Sequence, residues 1–187
     1  PATPLHHHEL QSPASSVAFG LGNLCMENPT NQLAARKAVP LLCQRLSLMN
    51  SKGPLGQEDE VTVIDAASAL AKLTMGCADN QAAALRAGAV TKLVRLLQEG
   101  PGFVVANAAF ALHHVCDRNA QNQRCALRAG AIAQLVRLLD ESGDAHRDKE
   151  RAAADVALAF EGLCEGNAAN QDAARHAGSI HALVRAM

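Results

Sequence analysis

The sequence predicts an all-α fold, a right-handed superhelical solenoid of about four three-helix repeats in which the first and last repeats are incomplete. An Asn-Gln pair recurs at residues 31, 80, 122 and 170, and such internal periods are the signature of solenoids. Apolar residues recur between the pairs at the spacing of a helix face. The chain is 49% hydrophobic but only 2% aromatic. A core of Ala, Leu and Val favours closely packed helices over a β-sandwich.

Each Asn-Gln pair predicts a short first helix. The three later copies read NQAAALRAG, NQRCALRAG and NQDAARHAG. The Asn suits a helix N-cap, and the closing Gly suits the left-handed position after a helix. The first copy departs from this pattern, because it is two residues short and Lys37 stands in the place of the Gly.

A second helix follows each of these turns, and a third helix completes the repeat. Apolar residues at i, i+3, i+4 and i+7 mark the second helices; they are Val90, Leu93, Val94 and Leu97, then Ile132, Leu135, Val136 and Leu139, then Ile180, Leu183 and Val184. The third helices are expected near 12–27, 61–76, 103–117 and 151–165. Their core stripes are Ala14, Val17, Ala18, Leu21, Leu24 and Cys25; Val63, Ala66, Ala67, Leu70 and Leu73; Val105, Ala108, Ala109, Leu112, Val115 and Cys116; and Ala153, Val156, Ala157, Phe160, Leu163 and Cys164.

Ser12 followed by Pro13 is a credible helix start, so we expect a disordered lead-in over 1–11 and a repeat domain over 12–187. Two connections, Ser47 to Glu60 and Asp140 to Arg151, are longer than the loop Gln98 to Gly102. Such insertions are either solvated linkers or functional loops.

The composite pattern resembles the armadillo repeat family. The resemblance rests on GAVTKLVRLL from Gly88, NAAFALHHVC from Asn107 and NQRCALRAGAI from Asn122, and it covers Ser12 to Met187. It implies a scaffold that binds protein segments in a concave groove formed by the third helices.

Composition and motifs favour a chain without a catalytic or metal-binding site. Five of the six cysteines replace small apolar residues of the repeat, whereas Cys77 lies in a turn; this pattern indicates reduced thiols in a cytoplasmic or nuclear protein. His113 and His114 are neighbours and point about 100° apart on a helix, so they are poorly placed to share a ligand. His6, His7 and His8 are weak evidence for a metal site. We expect no enzyme, no metal and no cofactor; an enzyme or a nucleotide-sensing module is a third alternative, which no motif in the sequence supports.

The net charge of −1 gives no global attraction to nucleic acid or anionic lipid, and no apolar run is long enough to span a membrane. A protein or peptide partner is therefore expected. A second hypothesis, a structural segment that self-associates through uncapped ends, stays open because the last helix has an apolar face with nothing predicted to cover it.

The candidate binding residues lie on the third helices, opposite the core stripe. They are Phe19, Asn23, Asp65, Lys72, Asn107, Phe110, His114 and Asp155. Two interpretations remain for the phenylalanines: they form a platform on the concave surface, or they pack between adjacent third helices.

The charge of the ligand is predicted only loosely. Importin-α-type repeats hold a basic peptide with a Trp and an Asn four residues later, and only Phe19 with Asn23 comes close to that pair. Lys72 and His114 are countered by Asp65, Asp155 and Glu161, so we expect a partner segment, extended or helical, of mixed or modest charge.

Overall fold

This computed structural model describes residues 12–50, 56–141 and 147–187, which contain helices and no β-strand. The α-helices are α1 (Pro13–Cys25), α2 (Pro29–Ala34), α3 (Val39–Arg45), α4 (Gln57–Thr74), α5 (Ala78–Arg86), α6 (Ala89–Glu99), α7 (Gly102–Cys116), α8 (Ala120–Arg128), α9 (Ala131–Glu141), α10 (Arg147–Cys164), α11 (Ala168–His176) and α12 (Ser179–Arg185). Two 3-10 helices, Ala35–Ala38 and Leu46–Asn50, flank α3. The predicted all-α solenoid is confirmed.

The third helices α1, α4, α7 and α10 pack on one another in chain order and form one continuous layer. The second helices α3, α6 and α9 pack on the third helix of their own repeat. The predicted stripes of α4 and α7 are buried throughout. A face shared by three neighbouring helices therefore forms a core without large aromatic side chains.

The stripe predicted for α1 is wrong at two positions. Val17 is 69% exposed and Leu24 is 68% exposed, although the equivalent Ala108 and Val115 of α7 are buried. In α7 this face packs against α6. No second helix precedes α1 among the described residues, so the same face has nothing to pack against.

The third helices α4 and α10 begin earlier than predicted. They start at Gln57 and Arg147, four residues before the expected 61 and 151. Asp59 and Glu60, expected in a loop, therefore lie with Glu58 in the first turn of α4, where acidic side chains interact favourably with the helix dipole. The rest of the two insertions, at 51–55 and 142–146, lies outside the described residues, as does the lead-in over 1–11 with its three histidines.

The predicted left-handed glycines are confirmed. Gly88, Gly130 and Gly178 have φ of 72°, 81° and 85°, and each joins a first helix to a second helix. In the first copy, where Lys37 replaces the glycine, the 3-10 helix Ala35–Ala38 makes this connection instead. A different local conformation thus compensates for the missing glycine.

The Asn of each Asn-Gln pair was predicted as an N-cap, and this was wrong. The caps are Asn28, Asn119 and Asn167, whose side chains accept hydrogen bonds from the main-chain N–H three residues later. The Asn of the pair is that third residue, and in three copies its side chain is fully buried.

The buried pairs instead join neighbouring repeats, and we call them the amide ladder (Gln32, Asn80, Gln81, Asn122, Gln123 and Asn170). Asn122 Nδ2 donates to the main-chain oxygens of Gln81 and Val115, at 3.1 and 2.6 Å. Gln81 Nε2 donates to the main-chain oxygens of His114 and Asp117, at 2.9 and 3.0 Å. Each rung satisfies carbonyl groups at the C-terminal end of a third helix, where a helix has no partners of its own.

Candidate functional site

The candidate residues lie on the layer of third helices, in three positions that recur in each helix. We call these positions the third-helix row. They are Ser16, Asp65, Asn107 and Asp155; then Phe19, Ser68, Phe110 and Leu158; then Asn23, Lys72, His114 and Gly162. The structure brings some of these residues together on the surface and buries others.

Three of the predicted residues form one cluster across α1 and α4, which we call the Phe19 cluster (Phe19, Asn23 and Lys72). The Phe19 side chain is 48% exposed. The Lys72 amino group lies 5.3 Å from the centre of the Phe19 ring, and Lys72 Nζ donates a hydrogen bond of 2.7 Å to Asn23 Oδ1. The cluster offers an apolar ring, an amide and a positive charge to solvent.

The equivalent residues on α7 are arranged differently. Phe110 is half-buried and packs against the core, with its ring perpendicular to that of His114 and the ring centres 4.7 Å apart. His114 is only 9% exposed, so the expectation that it projects away from the core was wrong. For this pair, the packing interpretation describes the structure better than the surface platform.

Close packing of α10 on α7 explains this burial. Gly162 of α10 is buried, and a Cβ atom added there would lie 2.5 Å from the main-chain oxygen of His113. Only a residue without a side chain permits this approach. A helical wheel of α7 alone gives no sign of the neighbour.

The electrostatics of His114 follow from its burial. Its Nε2 atom is buried and has no hydrogen-bond partner among the described residues. Burial lowers the pKa of His114 to about 4, with a smaller contribution from the neighbouring His113. His114 is thus neutral near pH 7 and adds no charge to the row.

Asp65 is also buried, against the expectation that it lines the surface. It is 8% exposed and accepts a hydrogen bond from Ser15 Oγ, which links α4 to α1. Asn107 is half-buried, and its Nδ2 atom donates to the main-chain oxygen of Phe103, at 2.9 Å. Asp155 is half-buried on α10.

One surface residue was missed. Phe103 is 55% exposed at the start of α7. It precedes Asn107 by four residues and Phe110 by seven, so helical spacing places it on the same face. That spacing could have identified it, although the row predicted from the sequence begins at Asn107 on this helix.

The thiols and histidines of the described residues do not combine into a reactive centre. Cys25, Cys43 and Cys116 are buried, and all six cysteines are free. Burial raises the pKa of Cys43 to about 11 and raises the pKa of Cys116 further, which disfavours the nucleophilic thiolate. Across 12–50, 56–141 and 147–187, no three His, Cys, Asp or Glu side chains lie close enough to hold a metal ion. None of the described helices has the length and apolarity needed to cross a membrane.

An open groove of about 610 Å³ lies away from the row. It is lined by residues of α5, α6 and α8 and by the turn after α8: Leu85, Thr91, Gln121, Arg124, Cys125, Arg128 and Ala129. First and second helices form it, so it does not belong to the layer of third helices.

No protein-family model and no curated protein matches this sequence. Solved structures do match the fold. An engineered protein from the Northeast Structural Genomics Consortium is 25% identical with a TM-score of 0.75, over 91% of this chain and 65% of that one. A designed armadillo repeat protein in complex with the peptide (KR)4 is 22% identical with a TM-score of 0.73, over 95% and 71% of the two chains.

A third similar structure is described as a computationally designed armadillo repeat protein for modular peptide recognition. It is 22% identical with a TM-score of 0.69, over 91% of this chain and 66% of that one. This chain thus spans about two thirds of the length of these proteins. Together with the three-helix repeats, these likenesses identify the fold as an armadillo-like repeat solenoid.

Proposed function

We propose that this chain is a protein-interaction scaffold that binds an extended segment of a partner protein along the third-helix row. The observation that carries the proposal is the Phe19 cluster, in which an exposed ring, an amide and an ammonium group converge from two adjacent third helices. A mixed apolar and polar surface of this kind can hold a peptide side chain and bond its backbone.

The spacing of the layer supports an extended ligand. Packed helices lie about 8–10 Å apart, and an extended chain advances about 3.3 Å per residue. A peptide crossing the layer would therefore meet one third helix every three residues. Phe19 and Leu158, which is 39% exposed, mark the two ends of such a path.

The similar structures support the same class of ligand. A designed armadillo repeat protein holds a (KR)4 peptide, and another is described as made for peptide recognition. The armadillo fold does not by itself assign a function, so the proposal rests on the residues of the Phe19 cluster.

The test is a screen of the purified chain against a random library of displayed peptides, repeated with Phe19→Ala. We expect the variant to bind the selected peptides about tenfold more weakly, as for loss of an interface anchor. Leu41→Ala is the matched control, because Leu41 is 61% exposed but lies on the second helix α3. Equal binding by Phe19→Ala, or an equal loss with Leu41→Ala, would show that the ligand binds elsewhere.

A second candidate function is end-to-end self-association, which two complementary faces favour. Ile180 and Val184 of α12 are 62% and 63% exposed, on the face that packs against a third helix in the other repeats. Val17 and Leu24 are exposed on α1, on the face that packs against a second helix in α7. We propose that α12 of one copy covers α1 of a second copy in this candidate.

The amide ladder also lacks hydrogen bonds between repeats at the two ends of the solenoid, beside α1 and α12. Gln171 Nε2 donates to the main-chain oxygen of Cys164 on the preceding helix, whereas Gln32, Gln81 and Gln123 reach the following third helix. The carbonyls of Asn23 and Met26 on α1 occupy the positions that those three glutamines bind. If a second copy docked here, Gln171 of one copy could donate to the main-chain oxygens of Asn23 and Met26 of the other.

Sedimentation velocity at increasing protein concentration tests this candidate. Association should appear in the parent and be lost in Val184→Lys, since a charge would be buried at the joint. Phe103→Lys, at a similarly exposed position on the same face of α7 as the row, should associate as the parent does. A single monomeric species at every concentration would rule the candidate out.

A further inference from the structure

The Phe19 cluster already contains a cation from the chain itself. The face of an aromatic ring attracts an ammonium or guanidinium group, and an Asn side-chain oxygen accepts a hydrogen bond from one. Lys72 uses both features: its amino group lies 5.3 Å from the centre of the Phe19 ring and 2.7 Å from Asn23 Oδ1. A Lys or Arg of an incoming peptide would have to displace Lys72 or bind beside a like charge.

The charge of Lys72 is not neutralised within the described residues, which show no ion pair for it. Asp65, expected from the sequence to counter it, is buried and bonded to Ser15. Asp155 and Glu161 lie on α10, beyond the intervening helix α7. Among the row residues of α1 and α4, Lys72 therefore carries the charge that reaches solvent, since Asp65 is buried.

The donors of the cluster suit an anion. An ammonium group has three N–H donors and no acceptor, and only one of the three is needed for Asn23 Oδ1. The Asn23 amide nitrogen adds two further donors close by. A carboxylate approaching the half-exposed Lys72 would accept these hydrogen bonds, and its methylene carbons would lie on the Phe19 ring.

We propose that Lys72 sets the charge preference of the row, so that the Phe19 cluster binds an acidic side chain of the partner segment and rejects a basic one. This inference rests on the proposed peptide-binding function and adds to it the chemical class of the ligand. Lys72 acts as a specificity-determining residue because, without it, the Phe19 ring and the Asn23 amide oxygen would favour a cation.

The test compares two labelled octapeptides, (DE)4 and (KR)4, by fluorescence anisotropy at low ionic strength. The parent chain is compared with Lys72→Met, which keeps an unbranched side chain over Gly22 but removes the charge. Lys37→Met is the control. Lys37 carries the same charge and is exposed, but it lies on the 3-10 helix before α3. Circular dichroism and thermal melting verify that all three proteins fold alike.

We expect the parent to bind (DE)4 up to about fivefold more tightly than (KR)4, the size of effect that an exposed ion pair supports. Lys72→Met should lose this preference and bind (KR)4 more tightly than the parent does, whereas Lys37→Met should keep most of it. Added salt should reduce the preference of the parent, since the contact is exposed.

A parent that prefers (KR)4, or identical ratios in Lys72→Met and Lys37→Met, would overturn the inference while leaving peptide binding intact. Failure of both octapeptides to bind the parent would also overturn it. The proposed function would then be decided separately by the library screen with Phe19→Ala, which makes no assumption about the charge of the peptide.

Discussion

The first pair of third helices, α1 and α4, and the last pair, α7 and α10, place the same row of residues in opposite environments. On the first pair, Phe19 is 48% exposed and Lys72 reaches across to Asn23. On the last pair, Phe110 is half-buried and His114 is 9% exposed. Equivalent positions of one repeat are thus part of a surface cluster at one end and of the packing between helices at the other.

Accessibility of the row therefore depends on both the side chain and the neighbouring helix. The flexible side chain of Lys72 brings its charge to the surface, whereas the short imidazole of His114 lies between the helices. Gly162 lets α10 approach the backbone of α7, which closes the space over His114. Four predictions would test or refine this comparison.

The largest effect is expected for Gly162→Ala. The new Cβ atom would lie 2.5 Å from the main-chain oxygen of His113, and a backbone atom cannot move away easily. We expect a loss of about 3 kcal/mol in the free energy of unfolding, as for overpacking, measured by urea denaturation. Gly22→Ala is the matched change on α1, where the nearest atoms lie 3.1 Å away and the gain in helix propensity offsets the contact; a similar loss there would contradict the comparison.

The Asn of the Asn-Gln pair should also contribute more to stability in the interior than in the first copy, where Asn31 is not part of the amide ladder. Asn122→Ala leaves the buried main-chain oxygens of Gln81 and Val115 without their donor, which should cost about 2–3 kcal/mol of unfolding free energy. Asn31 is partly exposed and donates only to the main-chain oxygen of Leu24, so Asn31→Ala should cost about 1 kcal/mol or less. If Asn122→Ala and Asn31→Ala lowered the free energy of unfolding equally in chemical denaturation, the buried Asn would contribute no more than the partly exposed one.

Acid should weaken the α7–α10 pair through His114. Its pKa in the folded chain, about 4, is below the ordinary value of 6.5, so the unfolded chain takes up a proton that the folded chain excludes. The stability that the lowered pKa of His114 contributes is therefore complete above pH 6.5. About 2 kcal/mol of it is lost by pH 5, and the loss continues as the pH falls towards 4.

His114→Leu should show a shallower loss of unfolding free energy than the parent between about pH 7 and about pH 4.5. The comparison isolates His114 from Asp117, whose carboxyl pKa is raised by burial and by Glu165 and therefore has the opposite effect. Parallel pH profiles for the parent and the variant would show that His114 is protonated equally in both states.

The smallest effect is a gain, at the only described first helix without a side-chain cap. Cys77 occupies the N-cap of α5 and makes no cap hydrogen bond, where Asn119 and Asn167 cap α8 and α11. Cys77→Asn should raise the free energy of unfolding by about 1 kcal/mol, measured by thermal and urea denaturation. The new Asn side chain should also donate a hydrogen bond to Gln32, as Asn119 and Asn167 donate to Gln81 and Gln123. An unchanged or lowered stability would show that the turn cannot adopt the cap geometry.

Local patterns predicted most of the fold. Left-handed glycines, a capping Ser12 and stripes at helical spacing act over one or two turns, so one sequence reveals them without a neighbour. The same patterns predicted that Asn23 and Lys72 occupy equivalent positions of adjacent third helices, and the two side chains are hydrogen-bonded to each other. They failed where partners lie about a repeat apart, as in the Asn-Gln pairs, whose contacts to the next repeat make them a ladder and not caps.

Periodicity along the chain was enough to predict the helices, their repeat and the residues that form the row. Which of those residues remain on the surface depends on how the helices pack. Asp65 and His114 are buried, and Val17 and Leu24 are exposed, against the pattern of each single helix. The reason is physical: burial in a solenoid depends on the helices stacked on both sides, and those helices come from repeats more than forty positions away in the chain.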